Sequence, residues 1–408
     1  MLSVTDARQR LFDALVPTEP ELKPLHDVAG LVLAADVAAN EDSPRFANSS
    51  MDGFAVRAAD LAGASKAQPA ALKVVADIPA GIVSQVALQE GQAARIMTGA
   101  AMPPGADAVI PVEDTDVPAP YTDAPLPSEV KVIRSLESGA YVRPRGEDFA
   151  AGDVLLNAGT HLRPQEVAML ALLGQADVSV HRRARVAILS SGDELVPVDR
   201  PLKPGTIRDT NSYALSSLVA GAGADVIPLG IAPDDLETIK AHLDRAVEQG
   251  ADLILSSAGV SVGAFDYLRE AVLSQGELDF WRVNMRPGKP LAFGRYRNIP
   301  FIGLPGNPVS CFVGFEVFVR HALHKLMGDL NWQRLVVRGV LDDQVKSDGR
   351  ESYLRGVTQV KADATHVKLT GHQGSGNLYS LVQADCLFVV PAGVNDMAPG
   401  SDVDIWPL

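Results

Sequence analysis

Ser256-Ser257-Ala258-Gly259-Val260-Ser261-Val262-Gly263 follows the apolar run Leu253-Ile254-Leu255 and leads through Asp266 into a helical pattern. A buried strand that ends in small hydroxylated and glycine residues offers bare backbone N–H groups and short hydroxyls to an anion. Alone, the stretch is a weak phosphate-loop signal, because small residues also make ordinary tight turns. Its surroundings raise the signal. From about Arg183 to Gly328, short apolar runs (Val186–Leu189, Val226–Gly230, Leu253–Ser256, Pro300–Gly303) alternate with helical patterns near Tyr213–Ala220, Leu236–Glu248, Tyr267–Leu273 and Val309–Met327. That alternation predicts βαβ units and a mostly parallel sheet covered on both faces.

Ligands of such a sheet bind outside the carboxyl ends of its strands. Ser190-Ser191-Gly192-Asp193-Glu194, Pro233-Asp234-Asp235, the Ser/Gly stretch with Asp266, and Leu304-Pro305-Gly306-Asn307-Pro308 all follow predicted strands. The strand-like Phe280–Asn284, with Arg282, leads into Arg286-Pro287-Gly288-Lys289-Pro290. Taken singly, Gly192-Asp193 reads first as a turn followed by a helix cap and Asp234 as an N-cap, while Lys289 reads equally as a solvated loop charge. Together they bring carboxylates, glycines, prolines and cations to one edge. Arg282, Arg286 and Lys289 suit phosphate or another oxyanion. Asp193, Glu194, Asp234 and Asp266 would repel that anion unless a cation intervened, and hard carboxylate oxygens suit Mg²⁺. A Walker A loop is absent from the sequence, which disfavours ordinary P-loop hydrolysis.

The flanking regions differ. Residues 1–40 look helical, with Ser3 and Asp6 at capping-box spacing, and residues 150–180 mix a strand-like piece with a helix. The two stretches are expected to form one discontinuous mixed domain. Residues 41–149 carry short strands between Gly and Pro punctuation and are expected to form an inserted β-rich domain. Residues 181–329 form the α/β domain, and 330–408 return to short alternating strands, a small C-terminal β domain. The inserted region has its own polar clusters, Asp52-Gly53 after Asn48-Ser49-Ser50, Thr98-Gly99, and Arg143 to Asp148. A hairpin turn and a solvated corner explain the first and last of these as well as a site does.

A net charge of −14 over 408 residues argues against nucleic acid and membrane surfaces as partners. Neither a signal-peptide apolar region nor a run of about 20 apolar residues is present, so a cytoplasmic protein is expected. Cys311 and Cys386, far apart in apolar patterns, read as buried thiols.

The segments NSSMDGFAVR (48–57), RIMTGAAMPPGADAVIPVED (95–114), RPRGEDF (143–149), SSGDEL (190–195), DTNSY (209–213), SSAGVSVGAFDY (256–267), MRPGKPLAFG (285–294) and GLPGNPVS (303–310) closely resemble the molybdopterin molybdenumtransferase family. That family comprises the bacterial MoeA proteins and the C-terminal domain of gephyrin. The resemblance implies four domains, an elongated homodimer, and a cleft between one subunit's inserted domain and the other's α/β domain. It implies an enzyme that takes adenylylated molybdopterin and molybdate and, with Mg²⁺, releases AMP and molybdenum cofactor. Handover from a molybdopterin adenylyltransferase and on to molybdoenzyme apoproteins would follow. On matching positions, Asp52, Thr98, Arg143 and Asp148 would form the inserted-domain side, and Glu194, Asp234 and Asp266 the carboxylates opposite. Ser257, Gly259, Ser261 and Gly263 would cradle phosphate or pterin, with Arg282, Arg286 and Lys289 supplying charge. Pro305, Gly306, Asn307 and Pro308 would shape the molybdate end, and Mg²⁺ would be held among Asp193, Glu194 and Asp234. Arg282 and Arg286 stand where some members have lysine, and Ala258 where a glycine is common. A molybdopterin adenylyltransferase and a non-catalytic molybdopterin-binding scaffold are the alternatives. The inserted and C-terminal β regions speak against the first, and the intact carboxylate set against the second.

Overall fold

The computed structural model describes residues 1–118, 124–257, 265–361 and 364–408, apart from the side chains of Phe265, Asp266 and Trp281. Ala258, Gly259, Ser261 and Gly263 therefore lie outside the described residues. The chain divides into two compact units. One comprises Met1–Ala35, Ala158–Ala171 and Gln175–Leu408, the other Asp36–Asn157 with Leu172–Gly174.

The α/β part of the first unit is a six-stranded sheet in the spatial order Asp225–Ala232, Arg185–Ser191, Leu253–Ser257, Ile299–Leu304, Pro290–Tyr296, Gly276–Arg282. The first four strands pair in parallel and the last two antiparallel. Alternate residues of Arg185–Ser191 face opposite layers, as the pleat requires. Val186 and Ile188 pack with helices Val4–Ala14, Asn211–Gly221 and the chain after Pro308. Ala187 and Leu189 pack with Leu236–Glu248 and Phe265–Gln275. The chain leaves the Arg185 strand in one direction and returns on its other side, so the strand order reverses between Arg185–Ser191 and Leu253–Ser257. That reversal is where an open α/β sheet leaves a crevice.

The Pro290–Tyr296 strand is not among those expected from the sequence, and Gly276–Arg282 lies earlier than the expected Phe280–Asn284. A two-residue turn at Arg297-Asn298 joins Tyr296 to its partner Ile299, with Arg297 at φ 51. Positive φ at such a turn matches the twist of a tight hairpin. The hairpin is tied down by Asp244, which accepts from the Tyr296 hydroxyl (2.7 Å) and from Arg297 Nη2 (2.6 Å).

The C-terminal region closes into a five-stranded barrel. Glu351–Lys361 pairs with Ala364–Leu369 and with Cys386–Val390, and Val337–Leu341 and Asp402–Pro407 complete the ring. Closure leaves these strands no open edge. Met285–Arg286 adds a short parallel strand beside Glu351–Ser352, so a loop of the α/β domain is hydrogen-bonded to the barrel. Both thiols are free and buried, and burial, with Asp385 second, pushes Cys386 up to about 12.

In the second unit, five strands lie in the order Ala108–Pro111, Gly53–Val56, Gln92–Ile96, Ala70–Ile78, Glu129–Val132, over a core that includes Phe54, Leu61, Leu72 and Ile110. Val142–Arg143 pairs separately with Asn48–Ser49.

The expected helix from Val309 to Met327 forms, but its middle turn, Phe315–Val319, is a π-helix flanked by α-helical Pro308–Gly314 and Arg320–Leu326. The turn carries Glu316, buried and bonded to Arg320 Nη2 (2.6 Å) and to Arg334 from the segment leading into the barrel. Burial alone would raise the Glu316 pKa, and the two guanidinium groups more than offset it. Burial also pulls Arg334 below its ordinary value. Facing two cations, Glu316 is ionised. Removing it leaves two cations without their shared partner, so Glu316→Ala is expected to cost about 3–5 kcal/mol of stability in urea unfolding followed by tryptophan fluorescence. With a folded pKa below the unfolded one, the contribution is present above about pH 4.5 and lost as pH falls further. An unchanged midpoint at pH 7 would contradict this.

Candidate active site

The carboxyl ends of the parallel strands open onto a cavity of about 580 Å³. Glu194, Arg286, Lys289, Pro305, Gly306 and Asn307, all expected from the sequence, line it. Gly192, at φ 146, lets the chain double back after the Arg185 strand. A Cβ there would meet the Glu194 carboxyl group at 2.5 Å, so the missing side chain is what lets Glu194 fold close. Opposite, Asn211 donates from Nδ2 to the Gly306 carbonyl (2.8 Å), fixing the Pro-Gly-Asn-Pro turn, whose Pro308 begins the helix.

Asp193 caps no helix. Its Oδ1 accepts the Asp234 N–H (3.1 Å), which joins the ends of two neighbouring strands. Asp234 is not the N-cap either. Asp235 fills that role, accepting from the Thr238 N–H (2.8 Å) and hydroxyl (2.6 Å). Asp234 is thereby free of structural duty, and its Oδ1 is buried with no hydrogen-bond partner. Burial raises its pKa, with Asp193 and then Glu194 adding like-charge repulsion. An orphaned carboxylate oxygen among like charges is what a hard cation relieves, so Asp193, Glu194 and Asp234 fit Mg²⁺. No three His, Cys, Asp or Glu side chains among the described residues are already grouped as a metal site. One or two carboxylates completed by phosphate oxygens and water would be the usual arrangement.

Asp193, Asp234, Ser257, Arg282 and Asp266 are not among the residues that line this cavity, and Asp52, Thr98, Arg143 and Asp148 lie in the other unit. Ser257 is buried and shares a hydrogen bond with Ser190 (3.0 Å) at the strand reversal. Arg282 is exposed at the end of the Gly276 strand and is not among the cavity-lining residues. Asp266 is the second residue of helix Phe265–Gln275. In the second unit, Asp52 Oδ1 accepts from the Thr98 N–H and hydroxyl, both at 2.7 Å. Arg143 donates from Nη2 to both oxygens of Asp148 (2.8 and 2.9 Å) and from Nε to Glu147 (2.9 Å).

The barrel contributes a wall that sequence reasoning misses: Arg350, Arg355, Gln373, Gly374 and Ser375. Arg350 holds Asp348 at 2.5 Å, lowering that carboxyl to about 2, and donates to the Met285 carbonyl (3.1 Å). The Gly/Ser-rich run Gly371–Gly376 is the available signal, since it has the same small-residue character as the loops at the sheet edge.

Residues 2–174 match the family described as "MoeA N-terminal region (domain I and II)". Residues 187–325 match "Probable molybdopterin binding domain", and residues 338–408 match "MoeA C-terminal region (domain IV)". A molybdopterin molybdenumtransferase of Nostoc sp. is 39% identical over 421 residues, covering 100% of this chain and 94% of its own. The chain belongs to the molybdopterin molybdenumtransferase family. The Mycobacterium tuberculosis molybdopterin molybdenumtransferase 2 is 38% identical with 100% of both chains covered. A crystal structure of a molybdopterin biosynthesis MoeA protein from Pyrococcus horikoshii superposes with a TM-score of 0.85 at 30% identity, covering 100% of each chain. Among the described residues of this molybdopterin molybdenumtransferase family member, no helix is long and apolar enough to cross a membrane.

The charge on Asp234 costs the folded protein stability wherever the group is ionised. The cost is full above its raised folded pKa and absent below its unfolded value near 3.8. Asp234→Asn is therefore expected to melt higher than the wild type at pH 7.5, with the gap narrowing as the pH approaches 4. A lower melting point for the variant at pH 7.5 would show that Asp234 is a structural partner.

Proposed function

We propose that this chain inserts molybdate into adenylylated molybdopterin with release of AMP, giving molybdenum cofactor. The observation that carries the reading is the cavity at the strand ends, where Glu194 faces Arg286, Lys289 and Arg350, in a chain that matches molybdopterin molybdenumtransferases end to end. A substrate that is both polyanionic and cleaved at a phosphoanhydride needs cations to hold it and a carboxylate cluster to place a metal.

In this reading Arg286 and Lys289 hold the phosphates, and the Pro305–Pro308 turn with Arg350 and Ser375 receives the molybdate oxyanion. Ser257, with the 258–263 stretch, supports the pterin phosphate, and Arg282 adds charge at the rim. Mg²⁺ bound among Asp193, Glu194 and Asp234 would neutralise charge on the phosphoanhydride. The residues themselves orient that linkage for attack by a molybdate oxygen or water on the adenylyl phosphorus, which breaks the P–O bond to the pterin phosphate. Water gives AMP directly, and a molybdate adduct gives AMP on hydrolysis. Asp266 orients the pterin or takes the proton. The Asp52–Thr98 and Arg143–Asp148 pairs are preformed polar groups on the inserted unit. We place them across a cleft from the cavity of a second subunit, so the working form is a homodimer. A cytoplasmic enzyme supplied by a molybdopterin adenylyltransferase and delivering to molybdoenzyme apoproteins completes the reading.

The test is AMP release from adenylylated molybdopterin, with and without molybdate and Mg²⁺. Molybdate-dependent release that EDTA stops and Mg²⁺ restores is expected, and Glu194→Ala should lower it by about a hundredfold or more at unchanged melting temperature. Tight substrate binding without release would make the protein a carrier.

A further inference from the structure

Arg143, Arg145, Glu147 and Asp148 share one six-residue stretch of the second unit. Two cations and two anions so close can pair in more than one way, because no single exposed ion pair gains much. One arrangement is present. Arg143 takes both acids, Glu147 through Nε (2.9 Å) and Asp148 through Nη2 (2.8 and 2.9 Å). Arg145 is turned away from them, and its Nε donates to Oδ2 of Asp42 (2.5 Å), 103 residues earlier in the chain.

Asp42 differs from the loop's own carboxylates. Its side chain is 19% exposed, against 45% for Glu147 and 46% for Asp148, so it is the better shielded partner. Its Oδ1 accepts the Ala151 N–H (2.8 Å), and that bond first, with Arg145 second, holds its pKa below the usual carboxylate value. It is therefore ionised at neutral pH. The backbone beside it is pinned as well. The Ser43 N–H donates to the Phe149 carbonyl (2.9 Å), the Asp148 N–H to the Ser43 carbonyl (2.8 Å), and the Gly146 N–H to the Pro44 carbonyl (3.0 Å). Ser43 Oγ adds a bond to Asp148 Oδ2 (3.3 Å). At the other end of the loop, Arg143 is held by its pairing with Asn48. With the main chain fixed at both ends, the choice left open is which arginine takes Asp148.

We propose that Asp42 is a positioning residue of the inserted unit: by holding Arg145 it reserves Glu147 and Asp148 for Arg143, and so keeps the Arg143 guanidinium in one orientation toward substrate. Arg145 lies three residues before Asp148 and two before Glu147, so a freed Arg145 competes for both carboxylates. A guanidinium that shares its partners samples several orientations, and a reacting group held in the wrong place loses rate steeply. The proposal rests on the transferase reading above, in which the Arg143–Asp148 pair faces substrate, and adds to it the group that orders the pair.

A double-mutant cycle on the full chain separates this role from a structural one. Two quantities are read: kcat/KM for AMP release from adenylylated molybdopterin, and the rate at which phenylglyoxal modifies Arg143 without substrate, followed by mass spectrometry. Asp42→Asn keeps an acceptor for the Ala151 N–H and drops the charge that holds Arg145. It should lower kcat/KM about tenfold at little changed melting temperature. Arg143 should label about two- to fivefold faster, the loosening expected for an exposed ion pair. Adding Arg145→Met removes the competitor, so the double variant should return to about the level of Arg145→Met alone in both quantities. If Asp42 serves only to brace the Ala151 backbone, the second change rescues nothing, and an unrescued double variant overturns the proposal. Unchanged Arg143 labelling in Asp42→Asn overturns it too, as does loss of fold in both Asp42 variants, which would make Asp42 a structural residue. AMP release indifferent to Asp42→Asn while labelling shifts and recovers would take the pair out of catalysis and overturn the positioning role. Labelling that shifts and recovers in a protein whose wild type releases no AMP would sink the transferase reading and leave the ordering of Arg143 by Asp42 standing.

Discussion

The cavity exists because Met285 and Arg286 pair in parallel with Glu351 and Ser352. This short run of backbone hydrogen bonds is where the α/β domain and the barrel meet in register. It carries Arg286 and, three residues on, Lys289 to one side, and it brings Arg350, one residue before the paired Glu351, to the other. Arg350 then reinforces the joint by donating to the Met285 carbonyl. Val309, at the start of the helix after the Pro-Gly-Asn-Pro turn, donates its N–H to the Ser375 carbonyl (3.1 Å) and closes the far side. Both contacts are between main chains or end on them, so they fix the wall geometry without depending on flexible side chains.

Around that joint, stability and chemistry are kept apart. The buried Glu316 with Arg320 and Arg334 holds the approach to the barrel, away from the cavity, and every charge in it is answered. At the strand ends the pattern is reversed. Asp234, beside the cavity-lining Glu194 but not itself in the lining, has a buried oxygen with no donor, and Arg355, in the lining, has a buried nitrogen with no acceptor. Opposite unanswered charges on separate elements are costly in the free protein, and a ligand carrying both a cation and phosphate-type anions would relieve them together.

Much of this is legible in the sequence, for reasons that also explain the gaps. Leu236–Glu248 follows the helical period from cap to end, and its bounds match those read from the pattern. The parallel strands announce themselves as unbroken apolar runs, so the loops at their carboxyl ends, with Glu194 and Pro305–Asn307, can be found without coordinates. Pro290–Tyr296 is hidden because it begins on a proline of the Arg286–Pro290 loop and contains Gly294, both poor strand signals. The π turn at Phe315–Val319 leaves no mark on a period count, and Glu316 looks like a surface charge. Arg355 is the least legible of all. A lone arginine beside Leu354, which enters the barrel core, reads as an outward-facing strand residue, and it is one; what the sequence hides is that Ser380 and the Gln373–Ser375 loop cover that outer face and bury it. For Asp234 the ambiguity is one of neighbours: either Asp234 or Asp235 could cap the helix, and the backbone at Asp235, extended with φ −134, decides it.

The central claim is that the oxyanion end of the site lies in the cavity at the barrel joint. Tungstate soaked into crystals of the full chain would be located without ambiguity by its anomalous scattering. The account predicts a peak within hydrogen-bonding reach of Arg350 and Ser375, beside the Pro305–Asn307 turn. Full-occupancy tungstate elsewhere on the molecule, with this cavity empty, would contradict it.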